Sequence, residues 1–195
     1  MELLDENRVI VKFGLSHMKN TSNQGLRALM EVNGIDKGKL SAYHIGFVMG
    51  PCLNATGRLD TAVRALQLLE EEERAEAVRI ASDLKQLNDS RKEMTDIYVK
   101  QAVRSVEENG LMQDRVLVIY LPDCHESLAG IIAGRIREKY YKPVFVLTRG
   151  EEGVKGSGRS IEAYHMYEEM TRVRHLFTKY GGHKMAAGLS LGEYS

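Results

Sequence analysis

Between Gly57 and Gly110 the chain contains neither glycine nor proline, so for about fifty residues nothing in the backbone chemistry forces a turn. The three prolines, Pro51, Pro122 and Pro143, all lie outside this stretch. Thr61 is placed to cap a first helix that ends near Leu69. The run Glu70-Glu71-Glu72-Glu73 then opens a second helix, its acidic first turn matched to the helix dipole. Its apolar positions, from Ala77, Ile80, Ala81 and Leu84 to Ala102 and Val106, step mostly by three or four, and Asn109-Gly110 stops the pattern. Unbroken, such a helix is about 55 Å long at 1.5 Å per residue, which suits a strut joining two bodies. The alternative is two helices with a turn at Asn88-Asp89-Ser90.

The strut divides the chain into three expected parts. Residues 1–60 carry helical candidates at 7–15 and 25–32 but no complete α/β unit. Residues 61–110 are the connecting helix. Residues 111–195 change pattern: a buried strand at 116–121, a helix at 126–140, a strand at 144–147, a glycine-rich loop or hairpin at 150–158 followed by a short strand around Gly158-Arg159-Ser160, a helix at 163–177 and a last strand at 185–191. Strand–helix–strand followed by a hairpin is an α/β fold, here a long connecting helix leading into a mixed β-sheet flanked by helices.

Composition narrows the class. At 195 residues, 43% hydrophobic and 28% charged, the chain is of ordinary globular make-up. Its longest strongly apolar run, 116–121, is far below the roughly 20 residues of a membrane helix. The start, Met1-Glu2-Leu3-Leu4-Asp5-Glu6, is acidic where a signal peptide is basic. Cys52 and Cys124 form no metal-type pair and fit a reducing, cytoplasmic setting. The net charge is zero, distributed as +1 over residues 1–60, −3 over 61–110 and +2 over 111–195. That excludes a broad histone-like polyanion binder, but not a narrow groove with a few arginines.

Three segments could carry chemistry. In Gly50-Pro51-Cys52-Leu53-Asn54-Ala55-Thr56-Gly57-Arg58, glycines allow sharp turns, Asn54 both donates and accepts, and Arg58 offers a planar fork suited to phosphate; the competing reading is a helix–loop–helix turn with Asn54 as its cap. In His125-Glu126-Ser127 a strand feeds a helix N-terminus, an anion-favouring arrangement, while Ala129, Gly130, Ala133 and Gly134 form a small-residue stripe for close packing. Lys155-Gly156-Ser157-Gly158-Arg159-Ser160 offers a hydroxyl and a guanidinium flanked by glycines. Gly181-Gly182-His183-Lys184, on a flexible Gly-Gly turn, adds an exposed histidine. The sequence has no Walker A segment, Gly-x-Ser-x-Gly elbow, His-x-x-x-His or aspartate–histidine cluster for divalent metals.

In order and spacing, Gly50 to Leu59, His125 to Arg135, Gly156-Ser157-Gly158-Arg159-Ser160-Ile161-Glu162 and Gly181-Gly182-His183-Lys184-Met185-Ala186-Ala187-Gly188 resemble the RecJ family of the DHH/DHHA1 phosphoesterase superfamily. Gly-Gly-His alone would indicate a DHHA1 domain; Gly-Pro-x-Leu-Asn-Ala-x-Gly-Arg is the RecJ-specific part. The resemblance covers nearly the whole chain. It implies a 5′→3′ exonuclease on single-stranded DNA, acting in DNA repair and recombination, whose Mn²⁺ or Mg²⁺ is held by an upstream DHH domain. Asp-His-His occurs nowhere in this sequence, so the chain alone is expected to be inactive. By the same resemblance, residues 1–60 are the end of the DHH domain and 111–195 the DHHA1 domain. Ser157 and Arg159 belong to the 5′-phosphate pocket, Asn54 and Arg58 meet the DNA backbone, and Gly181, Gly182 and His183 line the cleft, His183 facing the metal centre. The family often has arginine where Cys52 stands and glycine where Ser127 stands. A second implied class is the DHHA1 module of an oligoribonuclease or a cyclic-dinucleotide phosphodiesterase.

Overall fold

The computed structural model describes residues 4–59, 62–151 and 153–192. The chain is α/β, as its pattern indicates, and divides into two compact units at Lys92/Glu93, within one continuous helix.

The first unit is helical: α1 (Asp5–Lys19), α2 (Gln24–Val32), a π-helical stretch (His44–Met49), α3 (Gly50–Leu59), α4 (Val63–Glu70) and the first part of α5 (Arg74–Glu108). Its core is Leu29, Met30, Leu68, Ala77, Ala81 and Leu84, with Cys52 fully buried among them. Asn23 caps α2 by accepting from Leu26 N at 2.9 Å, while its Nδ2 donates to the Leu69 carbonyl at 2.7 Å. Gly25 lets α2 approach α4 so closely that a Cβ there would collide with the Leu68 carbonyl.

The segment around Gly50-Pro51 is helix rather than turn. Helical geometry runs without a break from residue 42 to Leu59, and the turn before Pro51 widens to π geometry, which accommodates a ring and a nitrogen with no hydrogen to donate. A Cβ on Gly50 would lie 2.8 Å from the Ile45 carbonyl oxygen. Asn54 is therefore inside a helix and caps nothing.

The four-glutamate run differs from expectation as well. Residues 71–73 are the break between α4 and α5, and Glu71 and Glu73 accept from the backbone N–H groups of Glu73 (2.8 Å) and Glu76 (2.9 Å). Carboxylates here serve as caps, because the first helical N–H groups have no intrahelical partner. Thr61, expected to cap α4, lies outside the described residues. Through Asn88-Asp89-Ser90 the helix is unbroken, with Lys85 and Lys92 paired to Asp89.

In the second unit, a five-stranded sheet has the order β1-β2-β3-β5-β4, made of β1 (Leu117–Tyr120), β2 (Val144–Gly150), β3 (Gly153–Arg159), β4 (Lys179–His183) and β5 (Ala186–Leu191). β1 and β2 are parallel, joined through α6 (Glu126–Tyr140); every other pair is antiparallel. On one face, Leu128, Ile132 and Ile136 of α6 pack on Leu117, Ile119, Val144 and Val146, joined by Ala102 and Val106 of α5. On the other, Met166 and Met170 of α7 (Met166–Arg172) cover Phe145, Ala187 and Leu189. The helix expected at 163–177 is thus shorter. His165 caps it by accepting from Glu168 N, the Ser160 hydroxyl donates to the Tyr164 carbonyl at 2.7 Å to hold the preceding turn, and a 3-10 turn follows at Arg174–Leu176. Gly181-Gly182, expected as a flexible turn, lies inside edge strand β4; the turn is Lys184-Met185.

Candidate nucleic-acid interface

Alternation along the strands decides which side chains meet. On β3, Lys155, Ser157 and Arg159 point to the α6 side, while Gly156 and Gly158 face α7, where a Cβ on Gly158 would lie 2.7 Å from Phe145 Cε1. The register then aligns three rows across the sheet. Lys179, Ser190, Lys155 and Thr148 form one; Gly181, Gly188, Ser157 and Val146 the next; His183, Ala186, Arg159 and Val144 the third. With strands about 4.8 Å apart, the backbones of His183 and Arg159 are about 10 Å from one another across β5. Four of the sequence-predicted residues, Ser157, Arg159, Gly181 and His183, therefore share one face of one sheet.

That face changes character from β2 to β4. Over β2 it is apolar and covered by α6. Over β5 and β4 it carries glycine, alanine and serine, and Gly181, Gly188 and His183 are exposed. A Cβ at Gly181 would meet nothing within 4 Å, and one at Gly188 nothing closer than 3.9 Å. Packing within the chain does not require these two positions to lack a side chain. By contrast, Gly182 has φ +156°, and a Cβ there would lie 2.6 Å from Ala187 Cα on the opposite face, so its reason is steric.

Arg159 is half-buried, its Nη1 donating to the Gly158 carbonyl at 2.8 Å. Its guanidinium lies over Gly130 of α6, where a Cβ would come within 2.7 Å of Nη2. Gly130 is thus a seat for Arg159; of the expected packing stripe Ala129 and Ala133 are buried, whereas a Cβ at Gly134 would meet nothing within 4 Å. His183 closes β4 with its ring exposed, and Nδ1 accepts from Met185 N at 3.3 Å. In the neutral ring this bond puts the remaining proton on Nε2, a donor. Lys184 beside it pairs with Glu162 at 2.8 Å, and the hydrogen bond from Lys184 holds the Glu162 carboxyl below the usual carboxylate range.

Beside Ser157 a groove of about 240 Å³ runs along the N-terminal turn of α6, lined by Ser127, Ala129, Thr148, Lys155, Ser157 and Gly188 among others. A wider cleft of about 620 Å³ adjoins it at the carboxyl ends of β1 and β2, with His125 and Arg149 in its wall. Both are lined by Glu126 and Lys155, themselves paired at 3.7 Å. Open α/β sheets commonly bind ligands at such strand ends. His125 is the cap of α6, its Nδ1 accepting from Ser127 N and lying 2.7 Å from Ser127 Oγ. Thr148 of the groove is not singled out by the sequence, and Lys155 enters there only as the first residue of the glycine-flanked segment.

Asn54 belongs to the first unit and is exposed on α3; the side chain of Arg58 lies outside the described residues. Cys52, where the family often has arginine, is a packing residue whose Sγ donates to the Val48 carbonyl at 3.3 Å. Burial raises its thiol pKa and pushes that of Cys124 up to about 11, so neither is a thiolate nucleophile near neutral pH.

Residues 113–194 match the DHHA1 domain family. Along 97% of its length the chain is 36% identical, over 191 residues, to the single-stranded-DNA-specific exonuclease RecJ of Bacillus subtilis (strain 168), of which it covers 24%. RecJ of Escherichia coli (strain K12) is 38% identical over 196 residues, 96% of this chain and 34% of that protein. Of solved structures, RecJ from Thermus thermophilus in complex with Mg²⁺ superposes with a TM-score of 0.85 at 32% identity, covering 99% of this chain and 30% of that one. A manganese-bound exonuclease RecJ gives 0.85 at 32% identity, over 98% and 47%. The chain spans between a quarter and about a third of the length of these two curated relatives.

Proposed function

From a chain that is RecJ-like along its length and carries a DHHA1 domain, we propose that it is the nucleic-acid-binding part of a 5′→3′ single-stranded-DNA exonuclease. The observation that carries this reading is the open sheet face on which Ser157, Arg159, Gly181 and His183 align, with two glycines that the chain's own packing does not require. A sugar-phosphate backbone needs that combination: room for close approach, a fork for phosphate, and a few neutral donors. Arg159 and Ser157 take the 5′-phosphate, Gly181 and Gly188 give the strand room, Gly182 serves by letting β4 keep its path on the other face, and His183 offers Nε2–H to a phosphate oxygen. Asn54 and Arg58 contact the DNA backbone from the first unit.

Residues 1–60 are, in this reading, the C-terminal part of a DHH domain, 61–110 its connecting helix and 111–195 the DHHA1 domain. Exposed Val9, Ile10 and Phe13 on α1, and the stacked exposed pair Tyr43–Phe47, support a neighbour for this region, since apolar groups on one surface favour cover. The structures of two solved relatives hold Mg²⁺ or manganese. Here, among the described residues, no three His, Cys, Asp or Glu side chains cluster as such an ion needs. The residues present do not fit the metal, which would sit in the upstream DHH domain. In this reading the cellular setting is DNA repair and recombination in the cytoplasm. No helix among the described residues is long and apolar enough to cross a membrane.

The reading as a DHHA1 module of an oligoribonuclease or cyclic-dinucleotide phosphodiesterase is not favoured, because the likeness to RecJ runs through α5 and the first unit as well as residues 113–194.

The test is salt-dependent binding. If about three phosphates are neutralised, log Kd plotted against log salt changes with a slope magnitude near 2 for a single strand. Arg159→Ala should weaken binding and make the slope shallower by under one unit. A slope near zero, or a mutant that binds as tightly as wild type, defeats the proposal.

A further inference from the structure

The α6-facing residues of β2 are Val144, Val146 and Thr148. The two valines end in the apolar core, whereas Thr148 lies at the far end of the strand, at the floor of the groove beside Ser157. It is fully buried, and its Oγ1 has no hydrogen-bond partner among the described residues. A buried hydroxyl without a partner is costly, and native chains satisfy nearly all such groups. Valine would fill the same space and continue the strand's own pattern, so packing does not account for the oxygen.

Its surroundings indicate what the hydroxyl meets. Ser127 Oγ lies 2.7 Å from the His125 ring, and the Lys155 ammonium, across the strand pair from Thr148, faces Glu126 at 3.7 Å. The N-terminal turn of the fifteen-residue α6 brings partial positive charge to the same groove. A groove with a lysine, serine hydroxyls and a helix N-terminus accommodates an acceptor-rich anion; Glu126 also lines it, its charge offset by Lys155.

We infer that Thr148 is a further ligand-contacting residue of this groove, its hydroxyl donating to an oxygen of the strand's terminal phosphate. This deepens the reading of Ser157, which lines the groove, and Arg159 as the residues that take the 5′-phosphate, and rests on it. The orphaned oxygen in the free chain becomes satisfied on binding, so the group contributes to discrimination between phosphate-ended and hydroxyl-ended strands.

The experiment compares the full chain with Thr148→Val and Thr148→Ser, binding one oligonucleotide made with a 5′-phosphate and with a 5′-hydroxyl. Thr148→Val should lose about tenfold in affinity for the phosphorylated strand, the effect of one hydrogen bond to a charged group. It should bind the hydroxyl-ended strand unchanged and melt no lower than wild type. Thr148→Ser should retain the wild-type preference. A Thr148→Val chain that keeps the wild-type preference overturns the role of Thr148 alone, as does one that melts several degrees lower with the preference intact. A wild-type chain that binds both strands alike overturns the 5′-phosphate reading and this inference with it.

Discussion

At the scale of single residues, His183 poses the sharpest choice between binding and architecture. Its ring accepts from Met185 N at 3.3 Å, which would make it part of the turn. That turn has stronger ties: Met166 N donates to the Lys184 carbonyl at 3.1 Å, Ser160 N to the Met185 carbonyl at 2.8 Å, and Lys184 is paired with Glu162. Losing one exposed, long hydrogen bond should therefore cost little, within about 0.5 kcal/mol as for other exposed sites. His183→Ala should leave the melting temperature of the chain nearly unchanged. In a parent enzyme carrying an upstream DHH domain it should lower the exonuclease rate severely, since a donor aimed at developing phosphate charge acts mainly in the transition state. Several degrees lost in the chain, with turnover kept in the parent, would make the histidine structural. The residues of this face were legible in the sequence because hydroxyl, guanidinium and imidazole sit among glycines. Thr148 was not, because threonine is an ordinary strand residue and only the missing partner of its Oγ1 distinguishes it.

Elements with strong periodicity were legible in the same way. Apolar steps of three and four placed α5 and α6 within a few residues of their observed ends, and residues 116–121 and 144–147 overlap β1 and β2. Strand β4 was not legible, since Lys179-Tyr180-Gly181-Gly182-His183 has a single apolar side chain and two residues depleted from strands. It forms because β5 supplies its ladder, a tertiary cause that a local pattern cannot show. Gly130 shows how one residue serves two elements. Alanine in the interior of α6 should favour the helix by up to about 1 kcal/mol, yet its Cβ would come within 2.7 Å of Arg159 Nη2. The obstacle is the far end of a flexible side chain, so Arg159 yields rather than the helix. Gly130→Ala should accordingly keep or raise the melting temperature while weakening binding of a 5′-phosphorylated strand, as is expected of Arg159→Ala. A destabilised variant with unaltered binding would show that Gly130 serves only the packing of α6 on the sheet.

For the whole molecule, net charge is zero and its acidic excess falls on residues 61–110. Several carboxylates there are already committed to cations: Asp83 to Arg64 and Arg79, Asp89 to Lys85 and Lys92, Glu76 to Arg79. Exposed pairs of this kind contribute little to stability because solvent screens them, but they arrange carboxylates singly along a helix rather than around a common point. Divalent ions that activate water for phosphodiester cleavage need several oxygen ligands converging on one site. Among the described residues there is no cluster of three His, Cys, Asp or Glu that could supply them. Binding and hydrolysis are thus expected to separate in this chain. Incubated with a 5′-phosphorylated single strand and Mn²⁺, it should retain the strand in a salt-sensitive complex and release no mononucleotide beyond the rate with metal alone. Calorimetry should detect no Mn²⁺ binding tighter than the weak association of scattered surface carboxylates. Mononucleotide release that copurifies with the chain through successive columns, and that disappears with Arg159→Ala, would mean that these 195 residues assemble a metal site of their own and that the catalytic role does not reside upstream.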